Sequence, residues 1–248
     1  MALRRMKADL HVHTCLSPCS GLDMSPREVV SAALRNGLDL IGVCDHNSAE
    51  NVLAVKRAGR RNGLMVLGGM EVSSSEEAHI LTFFEDDDDL LDFQDFIYQH
   101  LTGSNDEHSF GLQVIADDED GVNGFCGKLL IGATSLPTRT IAARARQAKG
   151  ESLVIAAHVD RESFSIIGQL GFIPPALVLD AVEVSAQMNA AGLKERFPDC
   201  RKYPVITSSD AHEPKDIGKR FTWFTLEDGT ITEIKKALQS RDNRKVEC

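Results

Sequence analysis

The chain has 248 residues, of which 42% are hydrophobic and 26% are charged, as is ordinary for a globular protein. Its formal net charge of −10 argues against a broad nucleic-acid surface and against an anionic-membrane footprint, although a cluster of divalent cations would offset part of the excess acid. No apolar run reaches the roughly 18 residues of a membrane span, the N-terminus has no signal-peptide core, and the six cysteines are dilute, so we expect a cytoplasmic protein with reduced thiols and no membrane partner.

The first predicted strand, over 9–13, carries two histidines. Leu10 and Val12 alternate with His11 and His13, which is the period of a β-strand, so both imidazoles are expected on one face. Two imidazoles that converge from one strand can share a metal ion. The alternative is a surface strand that carries two histidines by chance.

Strands and helices then alternate. In chain order the sequence predicts a loop over 14–24, a helix capped by Ser25 and stopped at Gly37, a strand over 38–44, a helix over 48–62 and a strand over 64–70. Asp45 and Glu71 follow directly after the two strands. This rhythm indicates parallel βα units, with a site at the carboxyl ends of the strands.

The second half is predicted to continue the same domain, a single one over 1–248. The predicted elements are a strand over 78–84, a helix over 86–99, a hairpin insertion at one edge over 103–137 with strands over 112–116 and 128–131, a helix over 138–150, strands over 153–157, 181–184, 204–207 and 221–226, and a helix from 230. The four aspartates over 86–89 favour a helix N-terminus over a calcium loop.

Titratable residues gather at or just past the predicted strand ends. They are His11, His13, Asp45, His46, Glu71, His79, His158, Asp210 and His212. Six of the eight histidines are in this set, and packing alone hardly accounts for so many buried polar groups. Histidines and carboxylates favour a hydrolytic Zn²⁺, Mn²⁺ or Fe²⁺ site, and more than four ligands imply more than one ion.

The order and spacing of these motifs resemble those of the PHP (polymerase and histidinol phosphatase) domain phosphoesterases, over almost the whole chain. The resemblance is carried by the segments 9–13, 44–47, 69–73, His79, 156–158 and 208–212. It implies a distorted seven-stranded (β/α)7 TIM-like barrel that holds two or three divalent ions: Zn, Mn or Fe, with Mg as a further candidate.

The resemblance also implies a distribution of ligands among the ions. His11, His13, Glu71 and Asp210 would bind the first ion. His46 and His212 would bind the second. His79 and His158 would bind the third, with Glu71 bridging between the first and third ions.

Cys19 stands where the family often has an aspartate or histidine ligand for the second ion. Cys19 can bind as a thiolate, leave the position to water or Asp23, or only pack in the loop. It also forms a close pair with Cys15, which is either a redox pair or two reduced thiols.

The expected reaction is hydrolysis of a phosphate ester by a metal-activated water. Asp45, Glu71, His212 and Arg161 are the expected catalytic residues, and Arg161 is either a phosphate clamp or a surface ion pair. Asp45 either shuttles a proton or holds an imidazole by a hydrogen bond.

Other side chains are weaker candidates for substrate contact. Arg139 and Arg144 lie on a helix that can simply be solvated, and Glu183 contacts either substrate or a backbone N–H.

Two other functions compete with the phosphoesterase. An amidohydrolase-type enzyme would need a strand-end lysine that this chain lacks, and a non-catalytic metal-binding module would have lost ligands that this chain keeps. The expected partner is a small phosphorylated substrate, namely a phosphomonoester, a nucleotide or a small phosphodiester. The sequence predicts no oligomeric state.

Overall fold

A computed structural model describes residues 2–185 and 188–248. Its strands are β1 (Arg4–Val12), β2 (Leu40–Val43), β3 (Met65–Ser73), β4 (His79–Phe84), β5 (Val114–Ala116), β6 (Val122–Phe125), β7 (Ser152–Ala156), β8 (Ala181–Val184), β9 (Val205–Thr207), β10 (Thr222–Leu226) and β11 (Lys245–Glu247). Its helices are α1 (Pro26–Arg35), α2 (Val52–Asn62), α3 (Asp87–His100), α4 (Glu107–Phe110), α5 (Thr138–Ala145), α6 (Ile166–Leu170), α7 (Ala190–Arg196) and α8 (Ile231–Leu238).

Nine of the described strands form one curved sheet in the order β11-β10-β1-β2-β3-β4-β7-β8-β9. Strands β1, β2, β3, β7, β8 and β9 all run in the same direction. Strands β4 and β10 run in the opposite direction, antiparallel to their neighbours. The two sides of the sheet approach each other, because Thr222 of β10 accepts from the backbone N–H of Thr207 at 2.9 Å and donates to its carbonyl at 2.8 Å. Beyond β9, Ala211 forms a parallel bridge with Val12. The sheet is therefore a nearly closed barrel.

A seven-stranded (β/α)7 barrel is not confirmed. The mixed α/β architecture and the helices around a barrel-like sheet agree with the prediction, but β10 and β11 extend the sheet to nine strands. Strand β4 follows β3 through a tight connection, so it returns antiparallel without a crossover helix. The apolar run of a strand indicates burial but not direction, which is why the sequence did not predict these reversals.

Two apolar clusters hold the sheet in place. The inner cluster is enclosed by the sheet and includes Leu10 of β1, Phe83 of β4 and Ile155 of β7, with Ile234 of α8 packed against it. The outer cluster takes the alternate strand residues together with the apolar faces of α1, α2, α3 and α5. This alternation follows from the strand period of two. Because both faces of the strands are covered by apolar clusters, the polar side chains lie at the strand ends.

The predicted helix starts of α1 and α3 agree with the structure. The Ser25 side chain accepts from the Glu28 backbone N–H at the start of α1. The Asp86 carboxylate accepts from the Asp88 N–H at the start of α3. The aspartate run therefore caps a helix, as predicted.

The predicted insertion contains a hairpin of its own, β5 and β6. The second strand was predicted over 128–131 but lies at Val122–Phe125. The chain turns back earlier because the backbone N–H of Asp117 donates to the Gly121 carbonyl at 2.8 Å, with Asp120 at a φ of 68°. The sequence pattern also missed the short elements α6, α7 and β11. The single-domain organisation stays a prediction.

No helix among the described residues is long and apolar enough to cross a membrane. All six cysteines are free thiols.

Candidate metal centre

A register shift near the end of β1 aims His11 and His13, the residue after the strand, at one point. Pairing between β1 and β2 shifts between Asp9 and Val12. Leu10 belongs to the inner cluster, whereas Val12, two residues later, belongs to the outer cluster. The shift thus breaks the alternation of the strand, and His11 and His13, on either side of Val12, both lie inward and are fully buried. A local bulge of this kind re-aims side chains beside functional sites.

Glu71, near the carboxyl end of β3, is the centre of the arrangement. It is buried, and its two carboxylate oxygens lie 2.8–3.4 Å from imidazole nitrogens of five histidines. These histidines are His11, His13, His46, His79 and His158. They come from four different strands or strand ends, so the carboxyl edge of the sheet brings together groups that are remote in sequence.

Asp210 forms a second acidic point beside Glu71. Its Oδ1 lies 3.2 Å from Nε2 of both His11 and His13, and its Oδ2 contacts Arg161 at 2.6 Å. The His212 Nδ1 donates to the Asp210 carbonyl at 2.9 Å. Arg161 is 42% exposed, so its remaining N–H groups are accessible at the mouth of the site.

Hydrogen bonds on the far side of the first two imidazoles determine their tautomers. Glu183 accepts from Nδ1 of His11 at 2.9 Å. The Ser17 hydroxyl donates to Asp45 at 2.6 Å, so its oxygen accepts from Nδ1 of His13 at 3.0 Å. Nε2 of both rings therefore faces Glu71 and Asp210 and is the atom through which each ring would ligate a metal.

The donor set fits divalent cations. His11 Nε2 and His46 Nδ1 are buried and have no hydrogen-bond partner among the described residues, although both point into the cluster. The residues form three sets, and within each set the ligand atoms lie within 4.8 Å of one another. The sets are His11, His13, Glu71 and Asp210; His13, His46 and His212; and His46, Glu71 and His79. Imidazoles combined with carboxylates suit Zn²⁺, Mn²⁺ or Fe²⁺.

Glu71, His46 and His212 are held in the protonation states that bind metal. Burial alone would raise the pKa of Glu71, but His79, His11 and His46 hold it well below its usual range. Burial lowers the pKa of His46 well below its usual range and that of His212 to about 4. At neutral pH the carboxylate is therefore ionised and these two imidazoles carry free lone pairs, which are the forms that bind metal. At His11, burial alone would lower the pKa, but Glu183 and Asp210 raise it well above its usual range, so a bound cation would replace a proton there.

Backbone strain concentrates at the same place. Four non-glycine residues around the centre have positive φ angles. They are Asn47 at 51°, His158 at 29°, Phe164 at 60° and Asp210 at 52°. Each such conformation costs roughly 1–3 kcal/mol and persists where the surroundings hold it in place, typically at functional sites.

A cavity of about 210 Å³ opens onto the centre. Besides the cluster itself, it is lined by Cys19, Ile131, Arg161 and Phe164. Arg161 pairs with Asp210 and also lines the cavity. Its role as a phosphate clamp stays a prediction.

Some predicted site residues stand apart from the clusters. Cys19 and His158 belong to none of the three sets of ligand atoms among the described residues, although His158 Nε2 contacts Glu71 at 3.0 Å. Asp45 binds the 14–17 loop through Thr14 and Ser17 instead of facing the cavity. The assignment of metal ligands and catalytic residues stays a prediction.

The other two histidines and two candidate arginines lie outside the centre. His100 hydrogen-bonds to Ser135, and His108 is exposed on α4. Arg139 is exposed on α5, and Arg144 lies over the Phe96 ring at 5.4 Å.

Three side chains at the site gave little or no sequence signal. The contact of Ser17 with His13 was not predicted. For Glu183 the alternatives were substrate or a backbone N–H; it accepts from the His158 N–H, and its contact with His11 was not predicted. Phe164 lies in a loop without periodicity, so only its tertiary neighbours reveal it.

Several solved structures share this fold. Endonuclease Q of Pyrococcus furiosus superposes with a TM-score of 0.75 at 20% identity, over 98% of this chain and 58% of that chain. Endonuclease Q in complex with a 27-mer duplex that has an abasic lesion at the active site gives a TM-score of 0.70 at 19% identity, over 98% of this chain and 58% of that chain. A putative metal-dependent phosphoesterase of Bifidobacterium adolescentis gives 0.60 at 18% identity, over 94% of this chain and 96% of that one.

These findings correct the expected partner. The prediction of a small phosphorylated substrate and no broad nucleic-acid surface is wrong, because endonuclease Q, which shares this fold, binds duplex DNA. A net charge of −10 averages the whole surface, whereas metal ions and single arginines act locally at a cleft.

A curated relative is the uncharacterized protein YqxK of Bacillus subtilis, which is 22% identical over 275 residues. The alignment covers 98% of this chain and 64% of YqxK. The chain thus spans less than two thirds of YqxK and of endonuclease Q.

Two family models match the sequence. The PHP-associated model matches residues 192–243, which supply β9, β10 and α8. The PHP domain model matches residues 9–173, which include His11, His13, His46, His79, His158 and the central Glu71. This chain belongs to the PHP domain family.

Proposed function

We propose that this chain is a metal-dependent phosphoesterase whose substrate is a phosphodiester of a nucleic acid. The observation that carries the proposal is the contact of one buried carboxylate, Glu71, with five histidines, next to Asp210 and Arg161. The duplex-bound endonuclease Q supports the choice of a nucleic acid.

His11, His13, Glu71 and Asp210 would hold the first of two or three divalent ions, of Zn, Mn or Fe with Mg as a further candidate. His46 and His212 would bind the second ion, and His79 and His158 would bind the third. Such ions supply an acidified water for attack on phosphorus and neutralise the charge that develops on the phosphoryl oxygens.

The chain's own residues would do the rest of the work. Glu183 and Ser17 hold the imidazoles of His11 and His13 in the required tautomer. Arg161 would orient the phosphoryl group through the N–H groups that Asp210 leaves free, since a guanidinium can donate two parallel hydrogen bonds to a phosphate.

The amidohydrolase alternative has less support. No lysine is among the described residues that line the cavity, so none there could supply a bridging carbamate, and Glu71 would take the role of the bridging ligand.

The test is cleavage of end-labelled oligonucleotides, single-stranded and duplex with one abasic site, in the presence of Mn²⁺. Wild type should produce discrete fragments, and Glu71→Gln should lose about 100-fold or more, because a central ligand matters more than the 10- to 100-fold of an outer partner. Glu77→Gln, in the exposed turn before β4, is the matched control and should behave as wild type. Equal cleavage by wild type and Glu71→Gln, or none by wild type with metal bound, would contradict the proposal.

A further inference from the structure

Phe164 is held rigidly at the mouth of the cavity by the loop over 158–165. The loop is anchored at one end because Asp160 accepts from the N–H and the hydroxyl of Ser185, each at 2.7 Å. It is anchored at the other end because the Phe164 carbonyl accepts from the His79 N–H at 2.9 Å. The ring is thus presented by a fixed scaffold.

The ring makes a one-sided stack. Its centroid lies 5.0 Å from that of the His79 imidazole, and the two planes are inclined by only 22°. The residue nevertheless remains 49% exposed and lies in neither the inner nor the outer apolar cluster. One face is therefore covered by His79 while the opposite face is open.

This arrangement is costly for the folded chain. Phe164 has a φ of 60°, a conformation that bulky residues rarely adopt, and half of its apolar surface faces water. Strain and exposure coincide at a residue that lines the cavity beside Arg161. Residues with such strain cluster at ligand-binding positions.

The size of the cavity indicates where a substrate must extend. Its 210 Å³ is below the roughly 300–1,000 Å³ of pockets that enclose a whole drug-sized ligand. A phosphoryl group and its immediate attachments fill the interior, so the rest of a nucleotide lies at the mouth. There it meets Phe164 and the half-exposed Ile131.

We propose that Phe164 is a stacking platform for a nucleobase adjacent to the scissile phosphodiester. The inference rests on the proposed function and names what that site recognises. A base can lie on this ring only when it is not stacked within a duplex, so the nucleotide at the site is single-stranded or unpaired. Because every base has an aromatic face, the platform tolerates any base.

The first experiment compares two single-stranded oligonucleotides of equal length, one natural and one with a tetrahydrofuran abasic analogue beside the cleaved bond. Phe164→Leu, which keeps an apolar contact with His79, should lower kcat/KM on the natural strand by about 5- to 150-fold, the range of base–aromatic stacking. It should change the abasic strand by less than about twofold. Phe164→Tyr should restore the preference for the base.

Phe172→Leu is the matched control, because Phe172 is 50% exposed but does not line the cavity, and it should behave as wild type. An equal loss on both strands with Phe164→Leu would overturn the proposal, because the ring would then only support His79. Metal content, measured in each variant, should be unchanged.

A second experiment separates failure of the platform from failure of the enzyme. Trp223 is the only tryptophan, so Phe164→Trp combined with Trp223→Phe places a single fluorophore at the mouth of the cavity. Thymidine 5′-monophosphate should quench its fluorescence, whereas 2-deoxyribose 5-phosphate should not. Quenching without cleavage of any oligonucleotide would refute the phosphodiesterase and support the base site. Equal quenching by the two compounds, or none by either, would refute the base site.

Discussion

Glu183→Gln is the variant that most sharply tests how the metal centre is organised. Glu183 is buried near the end of β8, and its two oxygens lie 2.9 and 3.2 Å from Nδ1 of His11. One of the same oxygens accepts from the backbone N–H of His158 at 3.0 Å. Oε2 therefore accepts from both donors, while Oε1 faces the same His11 Nδ1–H as a second acceptor.

Glutamine keeps the size of the side chain but offers a single acceptor. With its carbonyl oxygen in the Oε2 position, its NH₂ group takes the Oε1 position, 3.2 Å from the Nδ1–H of His11, where two donors face each other. Either the His11 ring is displaced, or His11 changes tautomer and turns an N–H toward the ion. Loss of an outer partner of a metal-bound histidine typically costs 10- to 100-fold in metal affinity. That range corresponds to about 1.4–2.7 kcal/mol.

The assay is titration of metal-free protein with Mn²⁺ or Zn²⁺ by calorimetry, with circular dichroism to confirm folding. Glu183→Asp keeps the charge but withdraws the oxygens, and it should also weaken binding if orientation is what matters. Asp180→Asn is the control, because Asp180 lies just before β8, accepts from the Val154 N–H at 2.8 Å, and neither lines the cavity nor belongs to a ligand set. If Glu183→Gln bound metal as tightly as wild type, the orienting role of Glu183 would be refuted.

Other substitutions test the loop, the thiol and the C-terminal ion pairs. Gly168→Ala places a Cβ against the Glu162 carbonyl oxygen, so it should shift the 158–165 loop. This shift should lower kcat/KM by about 10- to 100-fold with metal content unchanged. Gly124→Ala is the control and should have no effect, because a Cβ at that position has no atom within 4 Å. Cys19→Ser should leave the metal content measured by mass spectrometry unchanged, because Cys19 lies outside the three ligand sets, and loss of an ion would contradict this. Arg244→Ala should lower the free energy of unfolding by about 2 kcal/mol at pH 7, because Arg244 hydrogen-bonds to Glu233. Hydrogen bonds from Arg244 lower the pKa of Glu233 from 4.5 to about 2. The stabilisation is therefore complete above pH 4.5 and decreases as the pH falls toward 2. If urea melts from pH 7 to pH 2.5 gave a constant difference in the free energy of unfolding between variant and wild type, this prediction would be refuted.

The sequence predicted which residues gather at the site because strand ends are visible locally. A buried apolar run that stops at a histidine or a carboxylate, as at His158 and Glu71, places that side chain at the carboxyl edge, and parallel strands bring such edges together. The alternation in 9–13 likewise placed His11 and His13 on one face. The bulge that aims them inward depends on pairing with β2 and is invisible in one strand.

The rest depended on contacts between distant parts of the chain. The antiparallel direction of β4 and the contact of Thr222 with Thr207 that nearly closes the sheet depend on which strands lie side by side. The periodicity of a single segment does not contain that information. Ser17 reaches His13 only because Asp45 holds its loop. Phe164 is an isolated aromatic residue in a loop, and its exposure and strain become visible only in the folded chain.

The central claim is that separate strands meet to bind divalent cations around Glu71. Diffraction from crystals soaked in Mn²⁺, recorded at the manganese absorption edge, tests it directly. The account predicts anomalous peaks at the Glu71 carboxylate, one of them bounded by His11, His13 and Asp210, and their loss in Glu71→Gln. Saturating Mn²⁺ that gave peaks only at surface carboxylates, with none beside Glu71, would contradict it.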